Sequence, residues 1–181
     1  MIAYLDVLRL DPAGYLGGVL VVDEFGLPLE FRHTVALRPS RLQTTLYGDA
    51  LDRYLRAAVI TTRLLDDLER SPGVVLVTDP LLAIGGDELP VAHMETSGLE
   101  PSGPVGTFRE VEGASAGFTL QLRTSDPPVR FITRADPSRY RPMTDAILRV
   151  AETMDVSEPP ARVRAALRLI SVGESAAAQA A

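Results

Sequence analysis

The hydrophobic pattern of the first forty residues alternates with turn signals and predicts three β-strands. An apolar run from Ile2 to Leu10 ends at the letters DPAG, whose residue types favour a β-turn. A second run, Gly17 to Val22, ends at DEFG, and a third, Leu27 to Leu37, alternates apolar and polar side chains. Three strands joined by short turns indicate an antiparallel meander.

Between Leu51 and Arg70, the spacing of the apolar residues changes to that of a helix. Apolar residues recur there at helical spacing, while aspartates and arginines take the remaining positions, and the letters SPG then end the helix. The next segment, VVLVT at 74–78, is continuously apolar, which is typical of a parallel strand buried on both faces. This strand ends at Asp79, directly before Pro80.

The second half of the chain has a weaker pattern. Glycine and proline are frequent at about 85–117, which predicts a loop-rich excursion. Segments 118–123 and 129–134 predict a hairpin, and 143–154 and 159–170 predict two helices. We therefore predict a single α/β domain over 1–172 and a flexible tail at 173–181. Its mixed sheet would combine the three-stranded meander, the long helix, the buried parallel strand, and the C-terminal hairpin and helices.

Composition excludes several classes of chemistry. The chain has 181 residues, 46% of them hydrophobic, which is enough for one core. It has no cysteine and only two histidines, which argues against disulfides, a cysteine nucleophile and a zinc site. No stretch approaches the about 18 consecutive apolar residues of a membrane span. With no basic leader at the N-terminus, we expect no signal peptide and a cytoplasmic protein.

The chain is acidic overall, and its basic residues are of one type only. The net charge is −6, which argues against a generic DNA or anionic-membrane binder. All eighteen basic residues are arginine. Either a GC-rich genome or selection against amine modification would produce this composition. The absence of lysine excludes a Schiff-base lysine and a P-loop lysine.

Residues 3–84 resemble the opening half of the ribonuclease H-like fold. The similarity lies in an aspartate on strand one (AYLDVL, Asp6), glycines opening strand two (YLGGVLVV) and an aspartate ending strand four (VVLVTDP, Asp79). The segments GGVLVVDEFGLPLEF and LQTTLYGDAL also resemble uncharacterised bacterial proteins. Nucleases of the ribonuclease H-like fold bind two divalent ions between carboxylates and use them to displace a phosphodiester in line.

This resemblance implies a set of catalytic residues. Asp6 and Asp79 would be the carboxylates that bind Mg²⁺, and Asp145 would add a carboxylate from a C-terminal helix. The family also places a glutamate early in the first helix. Here Gln43 stands near that point, with Asp49 and Asp52 further along.

Other catalytic motifs are missing from the sequence. There is no G-x-S-x-G elbow, no G-x-G-x-x-G and no P-loop, so serine hydrolysis and dinucleotide or NTP binding lack support. His33 alternates with Phe31 and Val35 and is interpreted as a core or sheet-surface residue. His93 is interpreted as a strand or loop residue.

Five arginines are spread over residues 123–141, and only two aspartates lie among them in the sequence. They would form a docking patch for an acidic protein surface or a nucleic-acid backbone, or they would pair with acidic residues of the same chain. Acidic residues gather between 24 and 69, which would also suit head-to-tail self-assembly. The five arginines are Arg123, Arg130, Arg134, Arg139 and Arg141.

Three functions remain open at this point. The absence of complete catalytic motifs favours a non-catalytic interaction or scaffolding subunit of a bacterial multi-protein assembly, without a cofactor. The first alternative is a metal-dependent phosphodiesterase that uses Asp6, Asp79 and Mg²⁺. The second is a small-molecule or nucleotide sensor with its site at the strand ends.

Overall fold

The computed structural model describes residues 1–84, 88–113 and 115–179. Within these ranges, eight strands form one mixed sheet, which confirms the predicted α/β class. The strands are β1 (Ile2–Leu10), β2 (Gly14–Val22), β3 (Pro28–His33), β4 (Val75–Val77), β5 (Val91–Thr96), β6 (Phe108–Val111), β7 (Gly117–Leu120) and β8 (Val129–Thr133). Their order across the sheet is β3-β2-β1-β4-β5-β8-β7-β6.

Helices cover both faces of this sheet. They are α1 (Arg41–Tyr47), α2 (Ala50–Arg53), a π-helical segment (Tyr54–Thr61), α3 (Thr62–Asp66), α4 (Tyr140–Ala151) and α5 (Pro159–Gln179), with 3₁₀ turns at Pro80–Leu82 and Pro137–Arg139. A capping box at Ser40 begins α1, because Ser40 and Gln43 exchange side-chain and backbone hydrogen bonds. No helix among the described residues is both long and apolar enough to cross a membrane.

The predicted meander and the parallel strand are present. β1 pairs antiparallel with β2 and parallel with β4, and β4 pairs parallel with β5. The β4 strand is buried on both faces, as its continuous apolar sequence indicates. The carboxyl ends of β1, β4 and β5 therefore lie at the same edge of the sheet.

Alternation along β1 divides the core into two layers. Ile2 and Tyr4 belong to the layer that includes α4 and α5. Ala3, Leu5 and Val7 belong to the opposite layer, which includes residues of the π-helical segment and α3. Side chains two residues apart on a strand share a face. The face that a given β1 residue occupies is therefore fixed by its position along the strand.

The long helix differs from the prediction in two respects: which of its residues face the core, and where the helix ends. Residues 51–70 were expected to form one amphipathic α-helix, but the middle is π-helical and α3 ends at Asp66. Within the π-helical segment, the side-chain hydroxyl of Thr61 donates to the carbonyl of Arg56 at 2.8 Å, five residues back. In this segment Arg56 and Thr61 are buried, whereas Tyr54 is exposed.

The segment at 85–117 contains more structure than the predicted excursion. It includes β5, which lies between β4 and β8 near the middle of the sheet, and β6, which forms an edge. The pattern of VAHMET hides this strand because polar residues interrupt the apolar ones. Residues 85–87 and 114 lie outside the described residues.

At the C-terminus, α5 continues to Gln179, beyond the predicted end at 170. The predicted tail at 173–181 therefore overlaps this helix, and its last two residues lie outside the described ranges. The single-domain boundary at 172 stays a prediction.

Candidate functional site

The two aspartates singled out by the sequence lie at one edge of the sheet but bind partners from opposite layers. β1 and β4 are in register with Tyr4 beside Leu76. Asp6 stands two residues beyond Tyr4 on β1 and shares its face, whereas Asp79 stands two residues beyond Val77, the last residue of β4. The fold therefore brings both carboxylates to the carboxyl ends of adjacent parallel strands, with partners from opposite layers: Arg164 of α5 for Asp6 and Arg56 of the π-helical segment for Asp79.

Asp6 is buried and paired with an arginine from the C-terminal helix. Its carboxylate accepts a 2.8 Å hydrogen bond from Nε of Arg164 and a second from the backbone N–H of Val7. The Asp6 side chain is 5% exposed, whereas that of Arg164 is 49% exposed. The bond to Asp6 is the main cause of a raised pKa at Arg164, and Asp79 contributes to the same shift. The two aspartates thus act electrostatically on one guanidinium.

Asp79 caps the turn after β4 and is paired with an arginine from the π-helical segment. One oxygen accepts the N–H of Leu81 at 2.9 Å, and the other accepts a hydrogen bond from Arg56. The Arg56 side chain is 9% exposed. Burial opposes ionisation of Asp79, yet the hydrogen bonds from Arg56 and Leu81 lower its pKa below the ordinary value. Asp79 is therefore ionised at neutral pH.

Asp52 extends this network on the helical side. Its carboxylate lies 3.5 Å from Arg56 and 2.7 Å from Arg9, and it accepts a 3.2 Å hydrogen bond from the hydroxyl of Tyr15. Burial and the Asp52 charge raise the pKa of Tyr15. Arg56 consequently lies between two carboxylates, Asp52 and Asp79.

His93 lies on the same face as Asp79, on the neighbouring strand. It is opposite Val77 in the parallel pair of β4 and β5 and is 7% exposed. Its Nδ1 atom is 3.8 Å from Oε2 of Glu95. A charge on the His93 ring lowers the pKa of Asp79, so the two side chains are within electrostatic reach. His93, interpreted from the sequence as a strand or loop residue, lies on a strand, β5.

A cavity of about 430 Å³ opens beside the end of β4. Thr78, Met94 and Leu122 contribute to its wall. Arg123 and Asp155 also line it, with the guanidinium of Arg123 3.9 Å from the carboxylate of Asp155. The mixture of apolar wall and charged groups is typical of a small-molecule or nucleotide site. The cavity adjoins the chain segment that leads directly into Asp79.

The other residues discussed with the resemblance, Asp145 and Gln43, contact other groups. Asp145 lies on α4 with its side chain 55% exposed, 3.9 Å from Arg141. Gln43 is exposed on α1 and is used in the cap at Ser40. The side chain that the helical region presents to Asp79 is the cation Arg56, which also lies 3.5 Å from Asp52.

Arginines of the predicted docking patch make contacts within the chain. Arg130 lies 3.5 Å from Glu95, and Arg139 donates to the carbonyl of Glu88 at 3.4 Å. Arg123 lies 3.9 Å from both Asp126 and Asp155, while Arg141 pairs with Asp145 as described and Arg134 is exposed. Their role in binding a partner stays a prediction.

The donor set does not fit the Mg²⁺ that the resemblance implies. Magnesium prefers several hard oxygen ligands close together. Within residues 1–84, 88–113 and 115–179, no group of three or more His, Cys, Asp or Glu side chains is placed to hold a metal. Asp6 and Asp79 also hydrogen-bond guanidinium and backbone N–H groups with both of their oxygens.

Comparison with known proteins identifies the fold. No protein-family model and no curated protein sequence matches this chain. Endonuclease V from Streptomyces avermitilis is similar, with a TM-score of 0.61, 16% identity, and coverage of 96% of this chain and 82% of that one. Human ENDOV has a TM-score of 0.50, 13% identity, and coverage of 97% and 85%. Identities this low show a shared fold only.

These similarities support the ribonuclease H-like resemblance and extend it along the chain. Endonuclease V belongs to the ribonuclease H-like nucleases. The sequence indicated the likeness over residues 3–84, whereas the structural match spans almost the whole chain.

The predicted scaffolding function is wrong. The two similar structures named above are endonuclease V proteins, and this finding contradicts a non-catalytic subunit of an assembly. The expectation of a protein–protein interaction role fails for the same reason. Sequence reasoning selected Asp6 and Asp79 but missed Arg56 and Arg164, since both arginines look like ordinary polar positions on helices.

Proposed function

We propose that this chain acts on nucleic acid as a nuclease, with its active site at the carboxyl edge of β1, β4 and β5. The observation that carries the proposal is the full-length structural similarity to two endonuclease V proteins. The position of Asp6 and Asp79 supports it, because ligand sites of open α/β sheets form at the carboxyl ends of strands. Cytoplasmic localisation is part of the proposal.

Phosphodiester cleavage needs a cation for the phosphate and an acceptor for the proton of the attacking water. Arg164 supplies the cation: its Nε binds Asp6, its side chain is half exposed, and its terminal N–H groups suit two phosphate oxygens. Asp79 is the proposed acceptor, because its side chain is 31% exposed and each oxygen retains a lone pair beyond its bond to Arg56 or Leu81; its lowered pKa makes it a weaker base than a free aspartate. The cavity beside Thr78 would receive the adjoining nucleotide.

The test is a cleavage assay with single- and double-stranded DNA and RNA, each with Mg²⁺ and with EDTA. We expect the wild-type protein to cut at least one substrate, and Asp79→Asn to reduce the rate by about 10²-fold or more, as loss of a positioned base does. Asp66→Asn is the matched control, since Asp66 is an exposed carboxylate on α3. Failure of the wild-type protein to cut any of these substrates, or equal rates for Asp79→Asn, would contradict the proposal.

A further inference from the structure

The carboxylates at the proposed active site are already bound by cations that belong to the chain. Asp6 binds Arg164, Asp79 binds Arg56, and Asp52 lies between Arg56 and Arg9. Three aspartates therefore face three arginines across this network. The negative charge that would attract a divalent ion is offset before any ion arrives.

We infer that Arg56 and Arg164 are the cationic groups of this site and that they occupy the role of a divalent cation there. A guanidinium binds carboxylate and phosphate oxygens through fixed N–H donors and remains charged at every physiological pH. It therefore supplies permanent positive charge beside Asp6 and Asp79 without a metal ligand set. The inference rests on the proposed function for the location of the site.

The first argument is the occupancy of the carboxylate oxygens. In Asp6, one oxygen accepts Arg164 and the other accepts the N–H of Val7 at 2.8 Å. In Asp79, one oxygen accepts Arg56 and the other accepts the N–H of Leu81 at 2.9 Å. A metal ion would have to replace these bonds, and it would stand beside two guanidinium groups that repel it.

The second argument is that Arg56 has little room to leave. Its side chain is 9% exposed, and it is built into the π-helical segment, where its carbonyl accepts the hydroxyl of Thr61. Displacement by a metal ion would leave this guanidinium buried without Asp79 as a partner, which is costly. The π-helical turn thus holds a permanent cation beside Asp79.

The third argument is that the two aspartates receive their cations from opposite layers. Arg164 of α5 bonds Asp6, and Arg56 of the π-helical segment bonds Asp79. Each carboxylate therefore has a guanidinium of its own.

The test measures cation binding by the whole protein through its thermal stability. A ligand that binds only the folded state raises the melting temperature. We expect millimolar Mg²⁺ or Mn²⁺ to leave the wild-type melting temperature unchanged relative to EDTA. The double variant Arg56→Glu, Arg164→Gln adds a carboxylate beside Asp79 and frees Asp6. In this variant, Mg²⁺ or Mn²⁺ should therefore raise the melting temperature by a few degrees.

Each outcome decides the inference. A rise of a few degrees in the wild-type protein that disappears in Asp79→Asn would overturn it. No response in either the wild-type protein or the double variant would also overturn it, because the arginines would then not be what excludes the ion. If the double variant fails to fold, Arg164→Gln alone is measured against Arg168→Gln, an exposed arginine one turn further along α5. A cation-dependent rise confined to Arg164→Gln supports the inference, and equal behaviour of the two variants overturns it.

This experiment is separable from the cleavage assay because it does not measure activity. Cleavage that persists in EDTA supports both proposals. Cleavage that requires Mg²⁺ supports the proposed nuclease and overturns the role of the arginines. A protein that cuts no nucleic acid, but whose double variant alone responds to cations, overturns the nuclease while showing that the two arginines exclude the ion.

Discussion

The Nε atom of Arg164 donates a 2.8 Å hydrogen bond to a carboxylate oxygen of Asp6, which lies 158 positions earlier in the chain. This bond joins the C-terminal helix to the first strand at the edge of the sheet. Asp6 is 4% exposed, so its charge depends on this partner more than on water. The bond therefore has a stabilising role as well as its place in the proposed site.

Replacing Arg164 by Gln should destabilise the protein by about 1–3 kcal/mol, because it leaves a buried carboxylate without its cation. Arg168→Gln on the same helix should change stability by less than about 0.5 kcal/mol, as expected for an exposed side chain. Urea denaturation measures both values. In a double-mutant cycle with Asp6→Asn, the two losses should be less than additive. Strict additivity would contradict a direct interaction.

Asp79 should make stability depend on acid pH. Its pKa is below the ordinary 3.8 because bonds from Arg56 and Leu81 outweigh burial. The unfolded chain therefore binds the proton more readily, and the contribution of Asp79 is full above about pH 5 and disappears as pH falls through its lower folded pKa. The difference in free energy of unfolding between wild type and Asp79→Asn should shrink below about pH 4.

Urea denaturation at several pH values between neutrality and pH ~3 measures this difference. Asp66→Asn again serves as the matched control, because its carboxylate is exposed. A difference for Asp79→Asn that stays constant into the acid range would show that the ion pair with Arg56 does not lower the Asp79 pKa.

Gly17 should tolerate no side chain while Ile60 is present. A Cβ atom at Gly17 would lie 2.2 Å from Cγ2 of Ile60 and 3.0 Å from Cδ1 of Leu64. Gly17→Ala should therefore cost about 1–3 kcal/mol by overpacking, and this cost should be smaller in an Ile60→Ala background, which lacks Cγ2. Gly173→Ala is the control, since nothing lies within 4 Å of its Cβ position and helix propensity favours alanine. Denaturation midpoints compare the variants; no loss in Gly17→Ala would contradict the close packing.

Gln121 should hold the loop before β6 against the sheet. It is fully buried, its Oε1 accepts the N–H of Ser102 at 3.0 Å, and its Nε2 donates to the carbonyls of Arg123 and Asp126. Gln121→Leu should cost about 1–3 kcal/mol, because these backbone groups lose their partner.

Hydrogen exchange provides the local measurement for this variant. Exchange of the Ser102 amide should accelerate more than that of Ala3, whose N–H bonds the carbonyl of Val74 inside the sheet. Equal acceleration at both sites would indicate global destabilisation rather than release of the loop.

The local pattern of the sequence was sufficient for much of the fold. The bounds of β1, the meander and the doubly buried strand at Val75–Val77 all follow from the alternation or continuity of apolar residues. β5 was missed because its strand character depends on pairing with β4 and β8, which are far away in sequence. The π-helical turn at Tyr54–Thr61 was missed because the same residues also fit an amphipathic α-helix.

The candidate site, like the fold, was only partly predictable from the sequence. Asp6 and Asp79 were visible in the sequence because each stands at a recognisable place on a strand, and strand position is a local property. The partners Arg56 and Arg164 were not visible, because an arginine on a helix has the same local pattern whether it faces water or a buried carboxylate. Only the packing of α5 and the π-helical segment on opposite faces of the sheet decides that both arginines reach the aspartates, and hydrophobic periodicity does not encode these distances.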